Sequence, residues 1–344
     1  MKIGKVSESV LKRSVLRQLK TKRSEVLSGA GVGEDCAIFS LAEGEKVVSC
    51  MQEAAVMLSE DNAGTERFDI KITIKQLVQK CANNLAVSGA EPVAAMITLM
   101  LPETIEEQDI KQLMKEAEEA CHALSMQIAG GQTRVSEAVK DPIAVVTGYG
   151  KVQDDKLHTA KAAKPGQDIV ISKWIGLEGT AVLAKGNREK LLARYPAYLV
   201  EEAAGFDRYL SVLPEAATAV KSGVCAMHDA SEGGIFTAIW ELAEGAGVGL
   251  TIDLKKLPLR QETVEVCECC NTNPYEMKSG GCLVMTCEDG PRLVAALWAE
   301  GIPAVIVGRL TDSNDRIILN EDEVRYMDRP RTDAIYVRSL ELEK

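Results

Sequence analysis

The sequence contains no run of roughly eighteen uncharged apolar residues, so no segment of it reads as a helix that spans a bilayer. Its opening, Met1-Lys-Ile-Gly-Lys-Val6, lacks the apolar stretch and small-residue cleavage site of a secretory signal, which predicts a cytoplasmic protein. A basic excess is missing too. Lys and Arg number 40 against 51 Asp and Glu, a net charge of −11, and gripping nucleic acid needs the opposite balance. The ten cysteines are irregularly spaced, and without an export signal they read as reduced thiols rather than a disulfide framework.

What is present suffices for two cores: 344 residues, 46% hydrophobic and 26% charged, at about 150 residues per domain. Residues 1–30 hold eight basic side chains against Glu8 and Glu25, a net of +6, and read as a basic arm, helical or mobile. Apolar residues at Ile74, Leu77, Val78, Cys81, Leu85 and Ala86 mark one face of a helix stopped by Gly89. Thr104 and Glu107 read as the capping box of a helix reaching Leu124. Strand-like runs at 36–39, 46–51, 93–101, 126–129 and 143–150, with Gly130-Gly131 as a turn, complete a β-β-α-β-α-β-β half. In the second half, strands at 169–172, 224–227, 248–254, 282–287 and 304–307 alternate with helices. The expected fold is α+β, two sandwiches of sheet and helix, with domains at 31–155 and 165–335.

Four segments carry candidate chemistry. Gly29-Ala-Gly31-Val-Gly33-Glu34-Asp35 lets backbone approach a ligand closely, presents amides to phosphate oxygens, and ends in a carboxylate pair suited to a cation. It lacks both the G-x-G-x-x-G spacing and the Gly-Lys-Ser/Thr of the common nucleotide loops, so read alone it is also an ordinary tight turn. Asn83 and Asn84, late on the amphipathic helix, offer neutral amides to a ligand or simply form its polar edge. Gly130, Gly131, Gln132 and Thr133 suit anion or ribose contacts. Met227-His228-Asp229-Ala-Ser231-Glu-Gly233-Gly234 reads as a strand followed by a helix start, with Ser231 as N-cap and free amides for an anion. His228 beside Asp229 is a catalytic candidate, or a structural pair at the turn. Cys267 and Cys270 open like a zinc motif, yet they share one helix face that looks like core, while Cys282 and Cys287 fall on opposite faces of a strand.

The order and spacing of Gly31–Ala37, Ala82–Pro92, Ile128–Thr133, Met227–Gly234 and Asn273–Gly280 resemble one superfamily across nearly the whole chain. It contains aminoimidazole ribonucleotide (AIR) synthetase, selenophosphate synthetase, thiamine-monophosphate kinase and the hydrogenase maturation factor HypE, and the sequence is most similar to the HypE-like branch. The resemblance implies a homodimer joined through the N-terminal sheet. It also implies ATP held by Gly31, Gly33, Asn83, Asn84, Gly130, Gly131, Gln132 and Thr133, with Mg²⁺ on Asp35 and Glu34. A second anion would sit at Ser231, Gly233 and Gly234, and a small acceptor would be activated or phosphorylated; a protein partner, as for maturation factors, is also implied.

The sequence departs from the family's pattern at three places. Met51, followed by Gln52 and Glu53, stands where an acidic residue is expected; Asn84 replaces an aspartate; Gln132 replaces a histidine. A thioether and an amide bring no charge to Mg²⁺, which argues against metal-dependent turnover and leaves a non-catalytic scaffold as the alternative. A thiamine-monophosphate-kinase-like phosphotransferase is a third reading. The last cysteine is Cys287, so the resemblance does not extend to HypE's chemistry on a C-terminal cysteine.

Overall fold

The structure, a computed structural model, describes residues 1–32, 34, 36–58 and 72–336. The chain forms two units, one of Met1–Ala86 with Ala90–Leu157, the other of Val87–Gly89 with the chain from His158 onward. Gly33 and Asp35, two of the expected ligand residues, lie outside the described residues.

The first unit runs β1 (Gly4–Lys5), α1 (Glu8–Val10), β2 (Val26–Ser28), β3 (Ile38–Phe39), β4 (Glu45–Ala55), α2 (Ile74–Ala86), β5 (Glu91–Leu101), α3 (Glu107–Ala123), β6 (Gln127–Val135) and β7 (Ile143–Gln153). The helical periodicity holds, because Ile74, Leu77, Val78, Cys81 and Leu85 are each no more than 1% exposed. They press α2 on one face of a sheet ordered β1-β6-β5-β7-β4, in which only β5 and β6 run parallel, joined by the α3 crossover. The helix α3 is capped by Glu106, whose N–H donates to Asp109 at 2.9 Å; Thr104 takes no part. Gly130-Gly131 is not a turn. The strand continues through it to Val135, with Ala129 as the extra residue of a bulge, which shifts the register against β5.

The basic segment is neither a single helix nor a free arm. After α1 it makes one π turn (Leu11–Val15) and one 3-10 turn (Leu16–Gln18), burying Val10, Ser14 and Val15. Arg13 grips Glu107 of α3 through Nε and Nη2, both at 2.7 Å, and the backbone N–H groups of Lys20 and Thr21 donate to Glu118. Arg23 pairs with Glu25 at 2.8 Å and Glu91 at 2.7 Å, and Lys151 joins Glu25 at 2.8 Å. Glu107 and Glu118 lie more than ninety residues from the groups they hold and Glu91 lies 68 from Arg23, which is why periodicity alone suggested an arm. The Arg23 hydrogen bonds hold the Glu25 carboxyl well below the ordinary carboxylate range. A carboxyl depressed on folding stabilises above its unfolded value of 4.5 and stops doing so as pH falls below it. Glu25→Gln is therefore expected to cost roughly 2 kcal/mol at neutral pH. It should also flatten the loss of urea stability between about pH 5 and pH 3, and parallel pH profiles for both proteins would refute this.

The second unit comprises β8 (Asp168–Ser172), α4 (Leu177–Gly186), α5 (Arg188–Leu192), α6 (Ala197–Ala204), α7 (Leu213–Lys221), β9 (Val224–Ala230), α8 (Gly234–Ala246), β10 (Gly249–Asp253), α9 (Gln261–Cys270), β11 (Cys282–Cys287), α10 (Gly290–Ala299), β12 (Ala304–Thr311), β13 (Arg316–Asn320) and β14 (Glu323–Tyr326). Its seven strands are ordered β14-β13-β10-β12-β8-β11-β9. Ile235, Ile239 and Leu242 of α8 pack with Ile169, Ile171 and Val284 in one core. The terminal pair β13 and β14 escapes sequence reading because every residue of β14 is exposed and shows no alternation. The cysteines of α9 and β11 belong to the core; burial pushes the Cys267 and Cys287 thiols up to about 12, which suits neutral packing rather than zinc ligation. Among the described residues no group of three or more His, Cys, Asp and Glu is placed to hold a metal ion.

Candidate functional site

In the first unit the glycine loop joins β2 to β3, as its sequence context suggested. Phe39 stacks on Tyr149 of β7 at 5.2 Å, and Val26, Ala37 and Phe39 pack on Val93, Ala94 and Ala129. Tyr149 alternates with Gly148, whose Cβ, if present, would strike Cys81 of α2, so this hairpin rests on the sheet face opposite α2. The loop then lies against the start of β6. A Cβ on Gly29 would stand 2.9 Å from Gln127 Nε2, and one on Gly31 would stand 3.0 Å from Glu34 Cγ. Glu34 is exposed, and its carboxylate accepts the Ser28 hydroxyl at 3.1 Å.

The register sorts the β6 candidates by face. Gly130, Gln132 and Arg134 pair with Met96, Thr98 and Met100 on the face away from α2, whereas Gly131 and Thr133 pair with Ile97 and Leu99 on the helix side. Thr133 is 5% exposed and Asn83 1%, so both lie in the interior, Asn83 accepting from Gln79 at 2.9 Å. Asn84 is half-buried on α2. One chain therefore lays the glycine loop on the sheet face that Gly130 and Gln132 share, touching Gln127 and Ala129, and not on the face of the asparagines or Thr133. Sequence reading missed a further pair: Lys5 of β1 stands opposite Arg134, two like charges across one strand pair.

In the second unit the helix start differs from expectation. The N-cap of α8 is Gly233, not Ser231, and the Gly233 N–H donates at 2.7 Å to Asp333, a residue 1% exposed that also accepts from the Ile335 N–H at 3.0 Å. The chain's own carboxylate thus occupies the position where a second anion was expected. Burial raises the Asp333 carboxyl, against the lowering pull of those two amides. The segments around 231 and 279 meet directly. The Ser279 N–H donates to the Ser231 carbonyl at 3.0 Å, and Gly234 (φ +74°) leaves no room for a Cβ, which would stand 2.5 Å from the Tyr275 oxygen. Lys278, 6% exposed, places its Nζ 3.7 Å from Glu232. Burial lowers the Lys278 amine, but Glu178 and the neighbouring Tyr336 and Glu232 outweigh it, leaving it raised.

His228 and Asp229 are not a working pair. They alternate along β9, and His228 turns to Glu241 of α8 at 3.4 Å while its Nδ1 meets the Asp229 backbone oxygen at 2.9 Å. Burial pushes the imidazole down, but Glu241 and that carbonyl bring it above its ordinary value, as expected of a strand-to-helix ion pair.

Two domain families match the chain, AIR synthase related protein, N-terminal domain, over residues 33–152 and AIR synthase related protein, C-terminal domain, over 164–320. The chain belongs to the AIR synthase-related family. Among its relatives in this family, a hydrogenase expression/formation protein of Methanocaldococcus jannaschii is 26% identical over 92% of this chain and 91% of its own length. The carbamoyl dehydratase HypE of Cupriavidus necator is 29% identical over 62% of this chain and 60% of that protein. Solved HypE structures share the fold: E. coli HypE has a TM-score of 0.76 at 20% identity, covering 95% of this chain and 99% of that one. A HypE in complex with ATP has 0.75 at 18%, covering 95% of each, and a chain of a HypE–HypF complex has 0.67 at 22%, covering 85% and 92%. These likenesses place the chain on the HypE-like branch of the family and confirm the α+β two-domain fold.

Within this AIR synthase-related fold the three atypical positions are scattered. Met51 is 59% exposed on the face of β4 away from α2, since its neighbour Cys50 meets Cys81 of that helix. Gln132 shares the face of Met51 but lies three strands away, about 14 Å at ordinary strand spacing. Asn84 rides on the helix covering the opposite face. A cation's oxygen ligands sit within about 2.6 Å of it, so these positions cannot share one ion within one chain.

Proposed function

We propose that this protein is a homodimeric ATP-binding member of its family that does not turn the nucleotide over with Mg²⁺. The observation that carries the reading is the cradle formed where the glycine loop lies on the sheet face that Gly130 and Gln132 share, with Gly29 packed so closely on β6 that a Cβ would stand 2.9 Å from Gln127 Nε2. Such a cradle suits the polyphosphate of ATP, whose amide donors would come from the loop and whose remaining charge would be met by Lys5 and Arg134 on the same sheet face. The HypE–ATP complex supports the choice of nucleotide. Arg13 and Arg23, by contrast, are spent on internal carboxylates and are not available to close over a triphosphate.

Among the described residues, those at the family's metal positions do not fit Mg²⁺. Met51 brings a thioether, Asn84 and Gln132 bring amides, and they do not converge. ATP therefore serves as a bound ligand that stabilises the dimer rather than as a phosphoryl donor. The HypE–HypF complex supports extending the reading to a protein partner.

Isothermal titration should give ATP binding whose affinity changes less than about threefold on adding Mg²⁺, with Arg134→Glu weakening it at least tenfold, a difference of about 1.4 kcal/mol. No heat with millimolar ATP or ADP overturns the binding claim. Mg²⁺-dependent hydrolysis by the unmodified protein overturns the non-catalytic one and restores the reading of acceptor activation.

A further inference from the structure

Cys50 on β4 and Cys81 on α2 place their sulfurs 3.5 Å apart, and the Cys50 Sγ also donates to the Cys81 carbonyl oxygen at 3.2 Å. The room for both comes from Gly148 on the adjacent β7, where a Cβ would stand 2.5 Å from the Cys81 sulfur and 3.5 Å from the Cys50 sulfur. β4 is the edge strand of its sheet, so Cys50 remains partly exposed while Cys81 is fully buried. We propose that Cys50 and Cys81 form a dithiol modification site at which low-molecular-weight disulfides such as oxidised glutathione close a covalent link between β4 and α2.

The division of labour follows from position. The shared hydrogen bond lowers the Cys50 thiol and raises that of Cys81, so the partly exposed sulfur is the one that deprotonates more readily. The Cys50 thiolate attacks one sulfur of the small disulfide, breaking its S–S bond and expelling one thiolate, which leaves a mixed disulfide on Cys50. Cys81 then gives up its proton to that released thiolate, and its sulfur attacks the Cys50 sulfur, expelling the second small thiolate. Two protein thiols are oxidised and one small disulfide is reduced to two thiols. The bond closes at about 2.05 Å, within reach of side-chain rotation from the present separation. The remaining cysteines supply internal controls: Cys36 is exposed without a partner thiol, Cys225 is half-buried, and Cys121, Cys267, Cys269, Cys270, Cys282 and Cys287 are buried.

The full-length protein, equilibrated with graded oxidised and reduced glutathione, is trapped by acid and peptide-mapped without reduction. The expected result is a Cys50–Cys81 linked peptide lighter by two hydrogens, a glutathione adduct on Cys36, and reversal by dithiothreitol. Cys81→Ser is expected to retain glutathione on Cys50, because no second thiol displaces it. A wild-type protein that keeps a stable adduct on Cys50, or leaves Cys50 and Cys81 unmodified while Cys36 reacts, overturns the proposal. This outcome is independent of nucleotide binding.

Discussion

Replacing Gly131 by alanine is expected to cost about 3 kcal/mol or more of stability, enough to lower the urea midpoint visibly or send the protein to the insoluble fraction. Two separate penalties meet at this residue. Its φ of +147° is one that L side chains rarely adopt, and a Cβ there would stand 1.8 Å from the Ile97 carbonyl oxygen and 2.9 Å from the Ile97 nitrogen. Both atoms are backbone of the neighbouring parallel strand, so neither can move aside without breaking the β5–β6 ladder. Gly130 provides the comparison. Its Cβ would meet only the terminal methyl of Met96 at 2.9 Å, the far end of a flexible side chain, and Gly130→Ala should cost under about 1 kcal/mol. Equal midpoints for the two variants would show that the bulge, rather than the glycine, sets the local geometry. The contrast also separates structure from ligand: Gly131 is required by packing whatever binds, whereas Gly130 and Gln132 face the side on which a nucleotide is proposed to lie.

That distinction was not legible from the sequence, where Gly130-Gly131-Gln132-Thr133 reads as one turn with four ligand groups. A strand alternates its faces, and a single bulge at Ala129 decides which two residues look outward. The same limit appears at Met51, since a one-residue shift in β4 exchanges the exposed face for the face under α2. Helical patterns fared better, because three or four positions vote together: Ile74, Leu77, Val78 and Cys81 fixed the buried side of α2, and Cys267 with Cys270 fixed that of α9. Groups held by remote partners stayed invisible. Asp333 meets Gly233 across a hundred residues, and Glu118 meets Lys20 and Thr21 across nearly as many, so no local spacing signals them.

Met51→Lys is expected to split the proposed homodimer into folded monomers and to carry the proposed ATP affinity down with it. Met51 at 59% and Val47 at 54% exposure stand on the face of β4 that α2 does not cover, alongside the half-buried Val145 and Ile143 of β7 and Met96 and Met100 of β5. A second copy laid on that face would bury these side chains, and each large apolar side chain fully removed from water contributes about 1.5–3 kcal/mol. An ammonium at the same position must instead be buried without a partner or hold the two sheets apart. Either way a change of about 4 kcal/mol, close to a thousandfold in the dissociation constant, is expected. The fold of the single chain should survive, because position 51 touches solvent in it and lies opposite Thr147 rather than under α2. Sedimentation velocity reads the association state, and titration of the same samples reads ATP. Met51→Leu, which keeps the apolar surface, should leave both unchanged. Monomers that still bind ATP with unaltered affinity would place the nucleotide within one chain and detach it from the dimer. An unaltered dimer would remove the open sheet face from the association altogether.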